Sequence, residues 1–203
     1  ANFCGVCGHK PSLNLVSFQG AIPPLPSPVT RGVNPAGLHD LAVVGPLARK
    51  ASDLKLALGI IAGPAPEDAR AYRLVLPKPR KSKLKDYKIG YVSDDPFCTV
   101  HPDIRNAVSE TVKALRREGV DAVEGWPEGV LFEDVFKTYF QLMAATVSQA
   151  PVFTDTVIGM LKLLYLTPYG ETQRHFVEGL TLAHKDWYAL SAKRLASRRA
   201  WQV

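Results

Sequence analysis

Two short motifs hold residues that could bind a metal. Cys4-x-x-Cys7 and Cys98-x-x-His101 together have the spacing of a Cys₃His zinc site. The two halves lie far apart in the sequence, and a chain of this hydrophobicity needs no metal to fold. We therefore expect buried thiols rather than a metal centre, and no cofactor, while a zinc-binding module stays open as an alternative.

A lysine and a serine also stand close together, in the order Lys10-Pro11-Ser12. In extended chain, residues two apart point to the same side, so the two side chains could meet. No second serine and no glycine-rich oxyanion turn accompany them, and catalysis by a Lys/Ser pair needs such partners. We interpret both residues as structural.

The stretch that contains these residues has the composition of a forced turn. Gly5 and Gly8 allow positive φ or a close backbone approach, and Pro11 fixes φ and favours extended geometry before it. The sequence thus predicts a tight turn that enters a strand, within the first twelve residues.

Residues 3–12, Phe-Cys-Gly-Val-Cys-Gly-His-Lys-Pro-Ser, resemble the segment that follows the nucleophilic serine in the amidase signature family. Two later segments are similar to further landmarks of that family and occur in the same order. They are Gly-Pro-Leu-Ala-Arg at 45–49 and Leu-Pro-Lys-Pro-Arg at 76–80. The resemblance covers roughly residues 1–124.

The resemblance implies a hydrolase of carboxamide C–N bonds. In that family a serine attacks the amide carbonyl, and a second serine relays the proton to a lysine. All three align upstream of Ala1, so no catalytic residue is expected in this chain, which alone should be inactive. Phe3, Cys4, Gly5, Gly8 and Pro11 would form the structural turn beside the nucleophile. The expected partners are a small-molecule amide and the remaining segments of the same protein, because the chain resembles a piece incomplete at both ends.

Three other interpretations stay open beside the amidase. One is an A-type amidotransferase subunit of the same family, which would need a partner chain and tRNA. The second is a non-catalytic binding or structural remnant, and the third is the zinc module. A homodimer also stays open.

The order of predicted strands and helices indicates an α/β fold, part of a mixed β-sheet core flanked by α-helices, within one partial domain. Residues 1–63 should contain short strands at 15–18 and 41–44, and a helix from Ser52, as N-cap, to Ala62. Eight Gly and Pro residues predict an irregular loop over 13–40, and residues 64–86 are a Pro-rich linker.

Residues 87–124 predict a βαβ unit. A strand at 87–92 precedes a helix that Pro102 opens and Gly119 closes, and a second strand follows at 120–124. Such a unit requires parallel strands.

Residues 125–203 predict a helical region. It should contain a helix with an apolar stripe from Leu131 to Thr146, a buried helix at 152–165, and a long helix from about 181 to 203. From the family resemblance, Phe136, Tyr139, Phe140 and Met143 are the predicted substrate-pocket residues.

Composition excludes several function classes. The chain is 46% hydrophobic and 22% charged with a net charge of +6, which is typical of a globular domain. The basic residues of the linker lack interleaved aromatic residues, and those of the last helix lie near its C-terminus, where the helix dipole favours them, so we expect no nucleic-acid partner. No apolar run is long enough for a membrane span, and the odd cysteine count favours a reducing, cytoplasmic location.

Overall fold

The computed structural model describes residues 1–18, 41–66, 68–148, 152–163 and 170–202, without the side chains of 2 and 170–172. Most of the predicted irregular loop at 13–40 therefore lies outside the described residues. Within these ranges the helices and strands follow one another in the order β1 (Cys7–Gly8), β2 (Leu47–Ala48), α1 (Ala51–Ile61), β3 (Lys88–Tyr91), α2 (Pro102–Arg117), β4 (Asp121–Glu124), α3 (Phe132–Val147), α4 (Asp155–Leu163), α5 (Gly170–Leu180) and α6 (His184–Ala200).

The chain divides into two compact units. The first unit consists of residues 1–76 and 146–157, and the second unit of 77–145 and 158–203. The prediction of one partial domain stays a prediction. Helices together with small sheets confirm the predicted α/β class.

In the first unit, β1 and β2 pair antiparallel, with Cys7 opposite Ala48 and Gly8 opposite Leu47. The predicted strand at 41–44 is wrong, because the described chain pairs only after Pro46, whose carbonyl accepts a hydrogen bond from the His9 N–H at 3.1 Å. The predicted strand at 15–18 is reduced to bridges between Val16 and residues 62–63.

Helix α1 follows β2 almost directly. Its N-cap is Lys50 and not Ser52, whose hydroxyl instead donates to the Asp53 carboxylate at 3.3 Å. No residue of α1 is buried. Local sequence and the neighbouring strands therefore position α1, and burial in an apolar core does not.

The second unit contains the predicted parallel βαβ arrangement, which is confirmed. Strands β3 and β4 pair in parallel, with Lys88 opposite Asp121 and Tyr91 opposite Glu124. Pro102 occupies the first turn of α2, and Gly119 has a φ of 82°, the left-handed conformation that ends a helix. His101 caps α2, since its Nδ1 accepts from the Asp103 N–H at 3.3 Å.

The apolar core of the described residues also lies in the second unit. It is formed by Val112 of α2, Val120, Ala122, Val130, Leu142 and Ala144 of α3, Ile158 of α4, and Val177 and Leu180 of α5. Gly179 permits a close contact with α3, because an added Cβ would meet the Ala144 Cβ at 2.6 Å. The absence of a side chain at Gly179 is what lets α3 and α5 approach each other.

Three helical predictions need correction. Leu142 of the predicted stripe on α3 is buried, but Leu131 and Tyr139 are exposed, because the buried face of α3 is that of Thr138, Leu142 and Ala144. The helix predicted as buried over 152–165 is α4, in which Ile158 is the one described residue that is buried. Helix α6 begins at His184, and the preceding helix α5 was not predicted. None of the described helices is long and apolar enough to cross a membrane.

Candidate functional site

The predicted turn at the start of the first unit is closed by one carbonyl group. The Ala1 oxygen accepts hydrogen bonds from the Cys4 N–H at 3.1 Å and from the Val6 N–H at 3.3 Å. Gly5 has a φ of 60°, a conformation that residues with a Cβ rarely adopt. The turn thus has the positive φ that its glycine predicts.

Two glycines bring the turn against the segment that contains β2. A Cβ on Gly8 would meet the Ala1 Cβ at 2.9 Å and the Leu47 Cδ2 at 3.1 Å. A Cβ on Gly45 would overlap the His9 carbonyl oxygen and would lie 2.7 Å from the Pro11 Cδ. Pro11 is buried, so the backbone from 8 to 11 packs tightly against residues 45–47.

Several other residues of this stretch face solvent. Phe3 is fully exposed, and Lys10 and Ser12 are also exposed, with no contact among the described residues that would make them a catalytic pair. A general-base lysine requires burial that keeps it neutral, and Lys10 lacks it. The interpretation of both residues as structural stays a prediction.

The three thiols are exposed, so the prediction that they are buried is wrong for the described chain. Cys7 lies on a two-residue strand that is open to solvent, where its thiol is 4.0 Å from the Arg49 carbonyl oxygen, and Cys98 lies in a turn before α2. Among the residues that the structure describes, no group of three or more His, Cys, Asp or Glu side chains could hold a metal ion. The zinc-module alternative therefore receives no support.

The predicted substrate-pocket residues lie along α3. The Phe136 ring is 4.4 Å from that of Phe140 and 5.3 Å from that of Phe97, and the Tyr139 ring meets Phe140 edge-on at 5.7 Å. Tyr139 is exposed and Met143 is half-buried. Phe140 thus contacts the rings of both Phe136 and Tyr139, and the role of these side chains as a pocket stays a prediction.

A polar loop after β3 was missed by the sequence interpretation. The Asp94 carboxylate accepts hydrogen bonds from the Val100 N–H at 2.8 Å and from Arg105 Nη1 at 2.7 Å. These bonds, the one from Val100 above all, hold the pKa of Asp94 below its usual range even though desolvation opposes them. The Ser93-Asp94-Asp95-Pro96 run is the available signal, since Asp favours turns in which its side chain bonds nearby backbone.

The next residue of that loop fixes an aromatic cluster. Asp95 accepts from the Phe97 N–H at 2.9 Å and from the Trp126 indole N–H at 2.8 Å. Trp126 stacks on Phe132 with a ring separation of 5.2 Å. The loop thus joins the carboxyl end of β3 to the start of α3.

Comparison of the sequence with models of known protein families identifies the family of this chain. The Amidase family model matches residues 1–181, most of the chain. This chain belongs to the amidase family. The match confirms the resemblance of the turn and the two landmarks, and it extends the amidase region beyond residue 124, where the predicted similarity ended.

Curated relatives agree with this assignment. The chain is 33% identical over 127 residues to the A-type subunit of glutamyl-tRNA(Gln) amidotransferase of Thermosynechococcus vestitus, covering 61% of this chain and 24% of the relative. A protein of the same name from Thermus thermophilus is 29% identical over 201 residues, covering 96% of this chain and 36% of the relative. No solved structure matches. The chain thus spans about a quarter to a third of the length of these amidase relatives.

Proposed function

We propose that the full-length protein hydrolyses carboxamide C–N bonds of a small-molecule amide through a serine acyl-enzyme. The observation that supports this function is the amidase family match over residues 1–181, which begins with the glycine turn. In the proposed reaction the serine attacks the amide carbonyl, the amine leaves, and water then hydrolyses the ester. The protein acts in the cytoplasm.

The contribution of this chain to the reaction is structural. The Ala1 carbonyl, Gly8 and Gly45 hold the turn in one conformation. If the spacing of the resembled family holds, the turn would follow the nucleophile closely. A fixed backbone there would keep the nucleophile at a constant distance from its oxyanion donors. Phe136, Tyr139, Phe140 and Met143 are proposed as pocket wall, which would favour aryl or alkyl amides.

A serine-directed fluorophosphonate probe tests the reaction class. The full-length protein should be labelled, and it should release ammonia from a primary aryl amide such as benzamide. The 203-residue chain should give neither signal, and it serves as the matched control. Full-length protein that folds but is neither labelled nor hydrolytic would support the non-catalytic remnant instead.

The second candidate function is that of an amidotransferase subunit, favoured by the names of the relatives in Thermosynechococcus vestitus and Thermus thermophilus. It predicts that amide hydrolysis depends on partner subunits and on tRNA. A protein that hydrolyses benzamide alone, at a rate unchanged by added tRNA and cell extract, would be a free-standing amidase. Glutamine hydrolysis that appears only after co-purification with partner chains would favour the amidotransferase.

A further inference from the structure

The two faces of the β3–β4 pair have different surroundings. Side chains alternate along a strand, so Tyr91 and Glu124, which are opposite each other in the register, share one face. The guanidinium carbon of Arg116, on α2, lies 5.9 Å from the centre of the Tyr91 ring, and Arg116 Nη2 donates to the Ala122 carbonyl at 2.8 Å. This is therefore the face that α2 covers.

The opposite face of the pair is the floor of a cleft of about 580 Å³. Lys88, Gly90 and Val123 share this face, and all three line the cleft. Val123 is 45% exposed, and nothing lies within 4 Å of the position that a Cβ on Gly90 would take. Beyond Lys88 the floor is therefore flat and apolar.

Two tryptophans form a wall of the cleft. Trp126 and Trp201 both line it, and their rings meet nearly at right angles, at 87°, with centroids 5.8 Å apart. The indole N–H of Trp126 donates to Asp95, and its ring stacks on Phe132, so this side chain is fixed. Trp201 remains 57% exposed. A corner of this kind accepts a further aromatic ring edge-on or stacked.

A cation lies at the amino end of the floor. Among the described residues that line the cleft, Lys88 is the charged one on the floor's face, because the Glu124 carboxylate lies on the α2 face and accepts from the Tyr91 hydroxyl at 3.3 Å. The Lys88 Nζ is 3.9 Å from the Asp121 Oδ2, longer than a charge-assisted hydrogen bond, and the two side chains are 72% and 66% exposed. An ion pair of this length in solvent is weak. Lys88 can therefore exchange Asp121 for the anionic group of a ligand.

We propose that this cleft binds a carboxylate that carries an aromatic ring on a short alkyl chain, such as 3-phenylpropionate. The carboxylate accepts from the Lys88 ammonium, and the ring packs on the floor and against the two tryptophans. Lys88 and Gly90 are two positions apart on one strand, about 6.6 Å, which is close to the separation of ring and carboxylate in such an acid. The site consists of residues of the second unit and does not use the proposed amide hydrolysis, so either can fail without the other.

Calorimetric titration of the 203-residue chain with 3-phenylpropionate at neutral pH tests the charge requirement. The acid should bind, whereas 3-phenylpropan-1-ol, which has the same ring and chain length without the charge, should bind about fivefold more weakly. Lys88→Gln should weaken binding of the acid by about fivefold and leave binding of the alcohol unchanged. Lys83→Gln removes an exposed cation that does not line the cleft, and this control should bind the acid like the wild type.

Asp121→Asn should have the opposite effect. It removes the carboxylate that competes with the ligand for Lys88, so it should strengthen binding of the acid by about two- to fivefold without affecting the alcohol. If the ion pair only maintained the shape of the strand pair, Asp121→Asn and Lys88→Gln would both weaken binding of the acid and of the alcohol. That result would overturn the assignment of Lys88 as the ligand's partner.

A further variant tests the position of the ring without removing a charge. Trp201→Ala removes part of the wall at an exposed position, so its circular dichroism should match the wild type while binding of 3-phenylpropionate weakens by about fivefold. Tyr188→Ala removes an exposed ring of α6 that does not line the cleft, and this control should bind like the wild type. Equal binding of acid and alcohol, unchanged binding in Trp201→Ala, or no binding by the folded wild type would each overturn the proposal.

Discussion

The two units of this amidase-family chain are each stabilised internally in a different way. The second unit has an apolar core, and every buried Val, Leu, Ile and Ala side chain of the described residues belongs to it. The first unit buries Pro11, and it is closed by backbone hydrogen bonds and by glycines at close approaches, while α1 buries nothing. We infer that the stability of the second unit depends on buried apolar volume, whereas that of the first unit depends on close backbone packing.

Removing apolar volume should affect the two units very differently. Leu142→Ala empties a fully buried position in α3, at 0% exposure, and should lower the free energy of unfolding by ~2–5 kcal/mol. Leu56→Ala in α1, at 67% exposure, removes the same atoms and should change it by less than ~0.5 kcal/mol. Urea unfolding of both variants measures the contrast. Equal losses would show that α1 has a buried face.

Adding a methyl group at a closely packed glycine should destabilise the first unit. Gly45→Ala places a Cβ against the His9 carbonyl, a backbone atom that cannot rotate away, and should cost ~1–2 kcal/mol. Gly63→Ala in the same unit meets nothing within 4 Å and should stabilise the chain by ~0.4–1 kcal/mol. Hydrogen exchange of residues 7–11, followed by mass spectrometry, should rise in Gly45→Ala alone. If both variants behave alike, backbone fit does not limit this unit.

The smallest effect concerns pH and the loop after β3. Hydrogen bonds from Val100 and Arg105 lower the pKa of Asp94 from its ordinary value of 3.8. Because the pKa of Asp94 is lower in the folded state, its charge stabilises the fold at pH values above 3.8. This stabilisation is lost as the pH falls through the pKa of the folded state. The stability difference between wild type and Asp94→Asn should therefore shrink as pH falls below that value. Urea midpoints measured from neutral to acidic pH check this, and a constant difference would exclude a role for the Asp94 charge.

Local patterns predicted the βαβ arrangement of the second unit well. Alternation around Ile89 and Tyr91, Pro102 in the first turn of α2, and Gly119 after its end placed each element within about two residues, because each signal acts through its own backbone. The same patterns failed at residues 41–44, where an apolar run looked like a buried strand. A strand forms only where a segment pairs with Cys7 and Gly8, and the segment that pairs with them is 47–48 rather than 41–44.

The candidate site was predictable in part. Gly5 signalled a positive φ, but the hydrogen bonds of Asp94 and Asp95 join residues that are not adjacent, such as Asp95 and Trp126, and no local pattern specifies them. Helix α5 was missed, although Phe176, Val177 and Leu180 have helical spacing, because the Pro168 and Gly170 breakers suggested an irregular segment. Thiol exposure likewise depends on packing and not on residue type.

The family, the glycine turn and the parallel βαβ arrangement were predictable from sequence alone, because they depend on motif order, on φ and on short-range periodicity. The burial of one face of α3 and of Ile158 in α4, and the hydrogen bonds that the Tyr91 and Ser93 hydroxyls donate to Glu124, are set by the tertiary structure. Burial and side-chain contacts depend on which distant segments lie opposite each other. Periodicity restricts those arrangements without selecting one of them.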